Sequence, residues 1–89
     1  MELKDTVDLM TSDDYKDRFK AEYHQLKIRY EKLATILPRY EAGVDVGVAD
    51  LYLDFTPDTA LHILKKQAKA MRKYLYCLEK RAALEHIEL

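Results

Sequence analysis

A row of basic side chains without acidic neighbours is the feature of this sequence with the clearest chemistry. Residues 59–78 contain five lysines or arginines and no aspartate or glutamate. Clustered cations bind phosphate groups, and a tyrosine ring at the same helical spacing can stack on a nucleobase. The candidate ligand-binding residues are therefore Lys65, Lys66, Lys69, Arg72, Lys73 and Tyr76.

The same basic row also has a simpler interpretation as a charged helix face that pairs with acidic segments. Residues 40–58 carry five acidic residues and no basic residue, among them Asp45, Asp50 and Asp54. Opposite charges can pair within one chain or between chains. The sequence leaves ligand binding and charge pairing as alternatives. Binding to duplex nucleic acid is not expected, because the pI is near 6.3 and the sequence shows no turn followed by a helix that could read the bases.

Residues that usually catalyse reactions or bind metals are too few and too widely spaced in this chain. His24, His62 and His86 are never three or four residues apart, and none has that spacing from Cys77. Ser12, the only serine, is better placed as a helix cap than as a nucleophile. The apolar stripe around Cys77 favours a buried thiol. We expect no enzyme activity, no catalytic residue, no metal and no cofactor.

Composition indicates one small domain built mainly from helices, residues 1–89. The chain is 48% hydrophobic and 35% charged, with two glycines and two prolines, so few residues interrupt a helix. No apolar run approaches the roughly 20 residues needed to cross a bilayer. The first residues lack a signal-peptide pattern, and a single cysteine excludes an internal disulfide. We expect a cytoplasmic protein without membrane association.

The first long helix is predicted over residues 12–37, after an N-terminal arm of residues 1–11. Ser12 fits as its N-cap. Pro38 is expected to end it, because the residue before a proline is pushed out of the helical conformation. Apolar residues recur every three or four positions, which is the spacing of one helix face. They are Tyr15, Phe19, Tyr23, Leu26, Tyr30, Leu33 and Leu37.

The second long helix is predicted over residues 57–85, after a connector of residues 38–56. Thr56 fits as its N-cap and Pro57 as its first residue, whereas no cap is recognisable at its end. "VDVGV" and "LYLDF" in the connector alternate in hydrophobicity, which predicts a short β-hairpin or an extended segment. One apolar face of the helix comprises Leu61, Leu64, Ala68, Met71, Leu75, Leu78 and Ala82.

One partner helix cannot also cover a second stripe on this helix, which comprises Ala60, Ile63, Gln67, Ala70, Tyr74, Cys77 and Leu84. We expect an all-α antiparallel helical hairpin that assembles into a homo-oligomeric bundle, because soluble monomers rarely expose such a stripe. The alternative is a monomer that uses its N-terminal segment as a third helix. The candidate interface residues are Ile63, Gln67, Ala70, Tyr74, Cys77 and Leu84.

The segments "YHQLKIRYEKLATIL" and "LHILKKQAKAMRKYLYCLEKRA" resemble a family of very small helical-hairpin proteins of tailed phages and prophages, including crAss-like phages. The shared features are a leucine- and lysine-rich helix at residues 26–37 and a pattern of Ile63-Leu64, Gln67, Met71 and Tyr74. The chain departs from this family in its long acidic connector. The resemblance implies a helical hairpin and transfers no activity to any residue.

Some phage anti-defence proteins of this size are helical hairpins that assemble into rings and sequester cyclic nucleotide messengers. By this analogy of architecture, we hypothesise a non-enzymatic phage accessory protein in the cytoplasm of the infected bacterium. It would bind a cyclic nucleotide or an ADP-ribose-type ligand. The alternative is an inhibitor or adaptor that docks on a host or phage protein through its apolar stripe or acidic connector. A shared fold does not establish a shared function.

Overall fold

The structure, a computed structural model, describes residues 1–41 and 57–89. All regular secondary structure in these two ranges is helical, which confirms the predicted all-α class. The predicted β-hairpin falls in residues 42–56 and lies outside the described residues. The helical elements are a 3-10 turn (Leu3–Thr6), α1 (Val7–Met10), α2 (Tyr15–Glu41) and α3 (Pro57–Leu84).

α2 begins with a cap built by two consecutive side-chain turns. Asp14, directly before the helix, accepts a hydrogen bond at Oδ1 from the backbone N–H of Lys16, at 2.9 Å. Ser12, the predicted cap, instead accepts from the backbone N–H of Asp14 at 3.1 Å and donates to Asp17 Oδ2 at 2.9 Å. The cap is therefore Asp14, because its carboxylate accepts from an N–H group of the first turn.

The sequence predicts that α2 ends before Pro38, but the helix continues to Glu41. A proline removes one helical N–H and crowds the preceding turn, which weakens a helix without always ending it. Tertiary contacts hold this last turn in place. Leu37 packs against the cluster that contains Leu64, and Lys65 forms an ion pair with Glu41.

α2 and α3 pack antiparallel through the two apolar faces that the sequence predicts. Contacts run from Tyr15 with Glu85 at one end to Glu41 with Lys65 at the other, which sets the opposite directions. Leu78 is completely buried. The larger buried cluster comprises Phe19, Tyr23, Leu75, Leu78, Ala82 and Ile87, and the smaller one comprises Leu33 and Leu64.

The N-terminal segment packs against α2 and not against the outer side of α3. Thr6 is completely buried, and its hydroxyl donates to the backbone carbonyl of Leu3 at 2.7 Å. The same hydroxyl accepts from Gln25 Nε2 at 2.9 Å, which ties the segment to the middle of α2. A third helical element is therefore present, but it does not cover the second stripe of α3.

α3 ends at a defined cap, where the sequence shows none. The backbone N–H of Ile87 bonds to the carbonyl of Ala82 at 2.9 Å, across His86 with a φ of 56°. This six-to-one bond around a left-handed residue is the Schellman arrangement. Its usual apolar contact is also present, since Ile87 and Ala82 lie in the larger buried cluster. The helix ends at Leu84, one residue earlier than predicted.

Candidate functional site

All six candidate ligand-binding residues are exposed on α3. Their backbone positions span about 16 Å along the helix axis at 1.5 Å per residue. The helix presents them away from its buried face, because Leu64, Leu75 and Leu78 occupy the side that contacts α2. In the single chain the basic residues therefore form a strip on one helix and not a closed pocket.

Two members of the basic strip are engaged in ion pairs. Lys65 pairs with Glu41 at the end of α2, and Arg72 Nη1 lies 3.6 Å from Glu79 Oε1. Both pairs are largely exposed, so each stabilises the chain only weakly. Within residues 1–41 and 57–89, three other basic residues of the strip form no ion pair: Lys66, Lys69 and Lys73. The acidic residues considered as alternative partners lie outside the described residues: Asp45, Asp50 and Asp54.

Tyr76 is the exposed aromatic centre of the basic strip, with 55% of its surface accessible. The ammonium of Lys80 lies 5.3 Å from the centroid of its ring, within cation–π range. An open depression of about 430 Å³ is lined by Arg72, Lys73, Tyr76 and Cys77. This depression combines an aromatic surface with two cationic groups, which suits a planar base that carries a phosphate.

The second stripe of α3 is mostly exposed in the single chain. Leu84 is 80% exposed, Tyr74 is 47% exposed, and Gln67 and Ala70 are also exposed. Ile63 is half-buried, and Ala60, at the start of the stripe, is buried. The prediction of a buried Cys77 is wrong for the single chain, in which this thiol is exposed. The reason is that α2 covers only the first apolar face of α3, and the N-terminal segment lies elsewhere.

One protein-family model matches this sequence over residues 13–84, and its description is Sequestin. The chain belongs to the Sequestin family. The matched region contains α2, α3, the basic strip and the second stripe, and it leaves out α1. Comparison with curated proteins and with solved structures returns no significant match. The expected membership of a family of small proteins is thus supported, while the expected phage origin remains a prediction.

Arg81 joins the two long helices, a role that the apolar spacing of the sequence does not predict. It interrupts the apolar stripe and donates from Nη2 to the hydroxyl of Tyr15 at 2.9 Å. Its guanidinium also lies 5.0 Å from the centroid of Phe19 and pairs with Glu85 at 3.5 Å. The spacing of Arg81 and Glu85 by four residues signals such a pair. Tyr15, which the sequence places on the apolar face of α2, is 46% exposed, because its hydroxyl lies at the surface and bonds to Arg81 and Glu85.

Tyrosine hydroxyls link α2 to α3 along both edges of the hairpin. Tyr23 donates to Glu79 Oε1 at 3.2 Å, and Tyr74 of the second stripe donates to Glu22. Burial raises the pKa of Tyr23, and the negative charge of Glu79 raises it further. The hydrogen bond to Glu22 is the main cause of the raised pKa of Tyr74. Both phenols therefore stay protonated at neutral pH and act as donors.

His24 lies on α2, away from the basic strip. Burial lowers the pKa of His24, and the positive charge of Lys27 lowers it further. Within the two described ranges, no three His, Cys, Asp or Glu side chains are grouped so that they could hold a metal ion. In the same residues, no helix is both long enough and apolar enough to span a membrane.

Proposed function

We propose that this Sequestin-family protein binds and sequesters an anionic nucleotide signal of host anti-phage immunity. In this proposal it is a non-enzymatic phage accessory protein, and its ligand is a cyclic nucleotide or an ADP-ribose derivative. The family name supports a role in sequestering a molecule. The observation that carries the proposal is the exposed strip on α3. There, Lys66, Lys69 and Lys73 form no ion pair with described residues, and Lys73 lines the same depression as the exposed Tyr76.

The binding chemistry divides between phosphate contacts and base stacking. Lys69 and Lys73 are one helical turn apart, about 6 Å along the axis, so their ammonium groups can reach phosphates of the same ligand. The backbone of Tyr76 lies about 4.5 Å beyond that of Lys73 along the helix axis, and its exposed ring can stack on a base. Because the strip is open to one side, a second copy that docks on the second stripe would supply the opposite wall.

Thermal shift with a ligand panel tests the proposal. We expect a cyclic di- or trinucleotide, or an ADP-ribose derivative, to raise the melting temperature of the wild-type protein. Lys69→Ala with Lys73→Ala should weaken binding by about a hundredfold or more, because two charge-assisted hydrogen bonds are lost and each contributes about 1.5–3 kcal/mol. The matched control, Arg29→Ala with Arg39→Ala, removes two exposed cations of α2 and should bind like the wild type. No shift with any ligand at high concentration would refute the proposal.

Recovery of the ligand distinguishes sequestration from catalysis. We expect mass spectrometry after denaturation to return the bound nucleotide unchanged in mass and in stoichiometric amount. A product of different mass that accumulates over many turnovers would identify an enzyme instead.

A second candidate function, docking on a host or phage protein, is favoured by the exposed apolar side chains of α3. Leu84 is 80% exposed and Tyr74 is 47% exposed, and exposed apolar surface marks interaction sites. A pulldown from host lysate should then give one stoichiometric partner, lost in Leu84→Glu and retained in Lys69→Ala. Sequestration of a nucleotide predicts no such partner.

A further inference from the structure

The two outer surfaces of the helical hairpin carry charges of opposite sign. The N-terminal surface, residues 1–14, contains five acidic residues and one basic residue. The α3 surface, residues 59–78, contains five basic residues and no acidic residue. α2 lies between the two surfaces. Its Gln25 bonds to Thr6, and its Tyr23, about 200° away around the helix, bonds to α3.

Both surfaces also expose apolar side chains among their charges. Val7 and Met10 on the N-terminal surface are each 48% exposed, and Tyr76 on the α3 surface is 55% exposed. Asp8 and Asp13 are exposed and form no ion pair or side-chain hydrogen bond within the described residues. Apolar groups surrounded by charges of complementary sign are the usual composition of a protein–protein interface.

These two surfaces cannot meet within one chain, because α2 separates them. We propose that the α3 surface of one copy binds the N-terminal surface of a second copy. Such a contact is heterologous, since each copy uses a different surface, and it generates a ring or an open stack. An anionic ligand on Lys69 and Lys73 would compete with this contact, although the proposal does not depend on the proposed function.

A charge-swap experiment tests the contact. The first variant, Asp8→Lys with Asp13→Lys, removes the net negative charge of the N-terminal surface, and the second, Lys69→Glu with Lys73→Glu, removes most of the net positive charge of the α3 surface. Each variant alone should associate about tenfold more weakly than the wild type, because one of the two surfaces has then lost most of its net charge and the attraction between them is reduced. In a 1:1 mixture the intact α3 surface of the first variant meets the intact N-terminal surface of the second, so sedimentation velocity should show a mixed dimer that neither variant forms alone.

Salt and a matched control complete the test. Wild-type association should weaken between about 50 mM and about 300 mM salt, because screening acts on exposed pairs. Arg29→Glu with Arg39→Glu, which reverses two exposed α2 charges, should sediment like the wild type. Wild-type sedimentation of either single variant, or no mixed dimer in the mixture, would overturn the proposal. Ligand binding by the first variant, whose α3 surface is intact, is measured separately, so the proposed function can fail independently.

Discussion

At His86 the backbone has a φ of 56°, a left-handed conformation that a residue with a side chain adopts at a cost in free energy. We expect His86→Gly to stabilise the chain by about 0.5–1 kcal/mol, since glycine adopts this conformation freely but loses more entropy on folding. Urea unfolding monitored by circular dichroism measures the change.

Glu85→Gly is the matched control for this substitution. Glu85 directly precedes His86, lacks a positive φ, and accepts a hydrogen bond from Tyr15. Glycine at position 85 should therefore destabilise the chain. If both glycine variants lower the stability, the left-handed residue is not the source of strain in the cap.

His24 makes stability depend on pH in a defined direction. Because its pKa is lowered by burial and by Lys27, the folded state favours the neutral imidazole. Its contribution is fully present above the unfolded pKa of about 6.5 and is lost as the pH falls through the folded pKa. We expect the wild type to lose more unfolding free energy than His24→Gln between about pH 7.5 and about pH 5. Equal losses in the two proteins would contradict this role.

At the scale of elements, α2 contains a proline that the chain tolerates near the end of the helix. Pro38→Ala restores an N–H that can bond to the carbonyl of Ala34, and we expect stabilisation by about 1–2 kcal/mol. Pro57→Ala is the control, because Pro57 is the first residue of α3, where a backbone N–H has no helical partner and the N–H that proline lacks is not missed. Thermal unfolding of both variants checks the difference. A loss of stability in Pro38→Ala would show that the proline stabilises this turn.

The hairpin owes its register to contacts of different kinds. Periodic leucines and aromatics predicted which faces meet, because burial of apolar area favours one rotation of each helix. Residues such as Tyr23 and Glu79 then bond at a particular register along the two helices. Apolar spacing alone did not predict these polar links, since partners 56 residues apart in sequence meet only after the helices pack.

At the scale of the whole molecule, the exposed second stripe predicts self-association. We expect the protein to sediment with a mass above 10.5 kDa at micromolar concentration. Ala70→Glu with Cys77→Glu should weaken association by about tenfold or more, because it places charges in an apolar contact. This effect should persist at high salt, which separates it from the contact between the charged surfaces.

Ala83→Glu is the control for the stripe. Ala83 is exposed on the same helix but lies outside the stripe, so this variant should associate like the wild type. If the wild-type protein sediments as a single 10.5 kDa chain at every concentration, the prediction of self-association through the stripe is refuted.

Local spacing determined much of this protein before any packing was considered. The three-and-four-residue periodicity predicted two long helices and the buried faces around Phe19 and Leu78, because helix geometry places those residues on one side. The basic strip was predicted on the same grounds. Tertiary contacts decided what spacing does not specify. The N-terminal segment covers α2, α2 continues past Pro38, and Cys77 is exposed, because each outcome depends on which distant surface packs there.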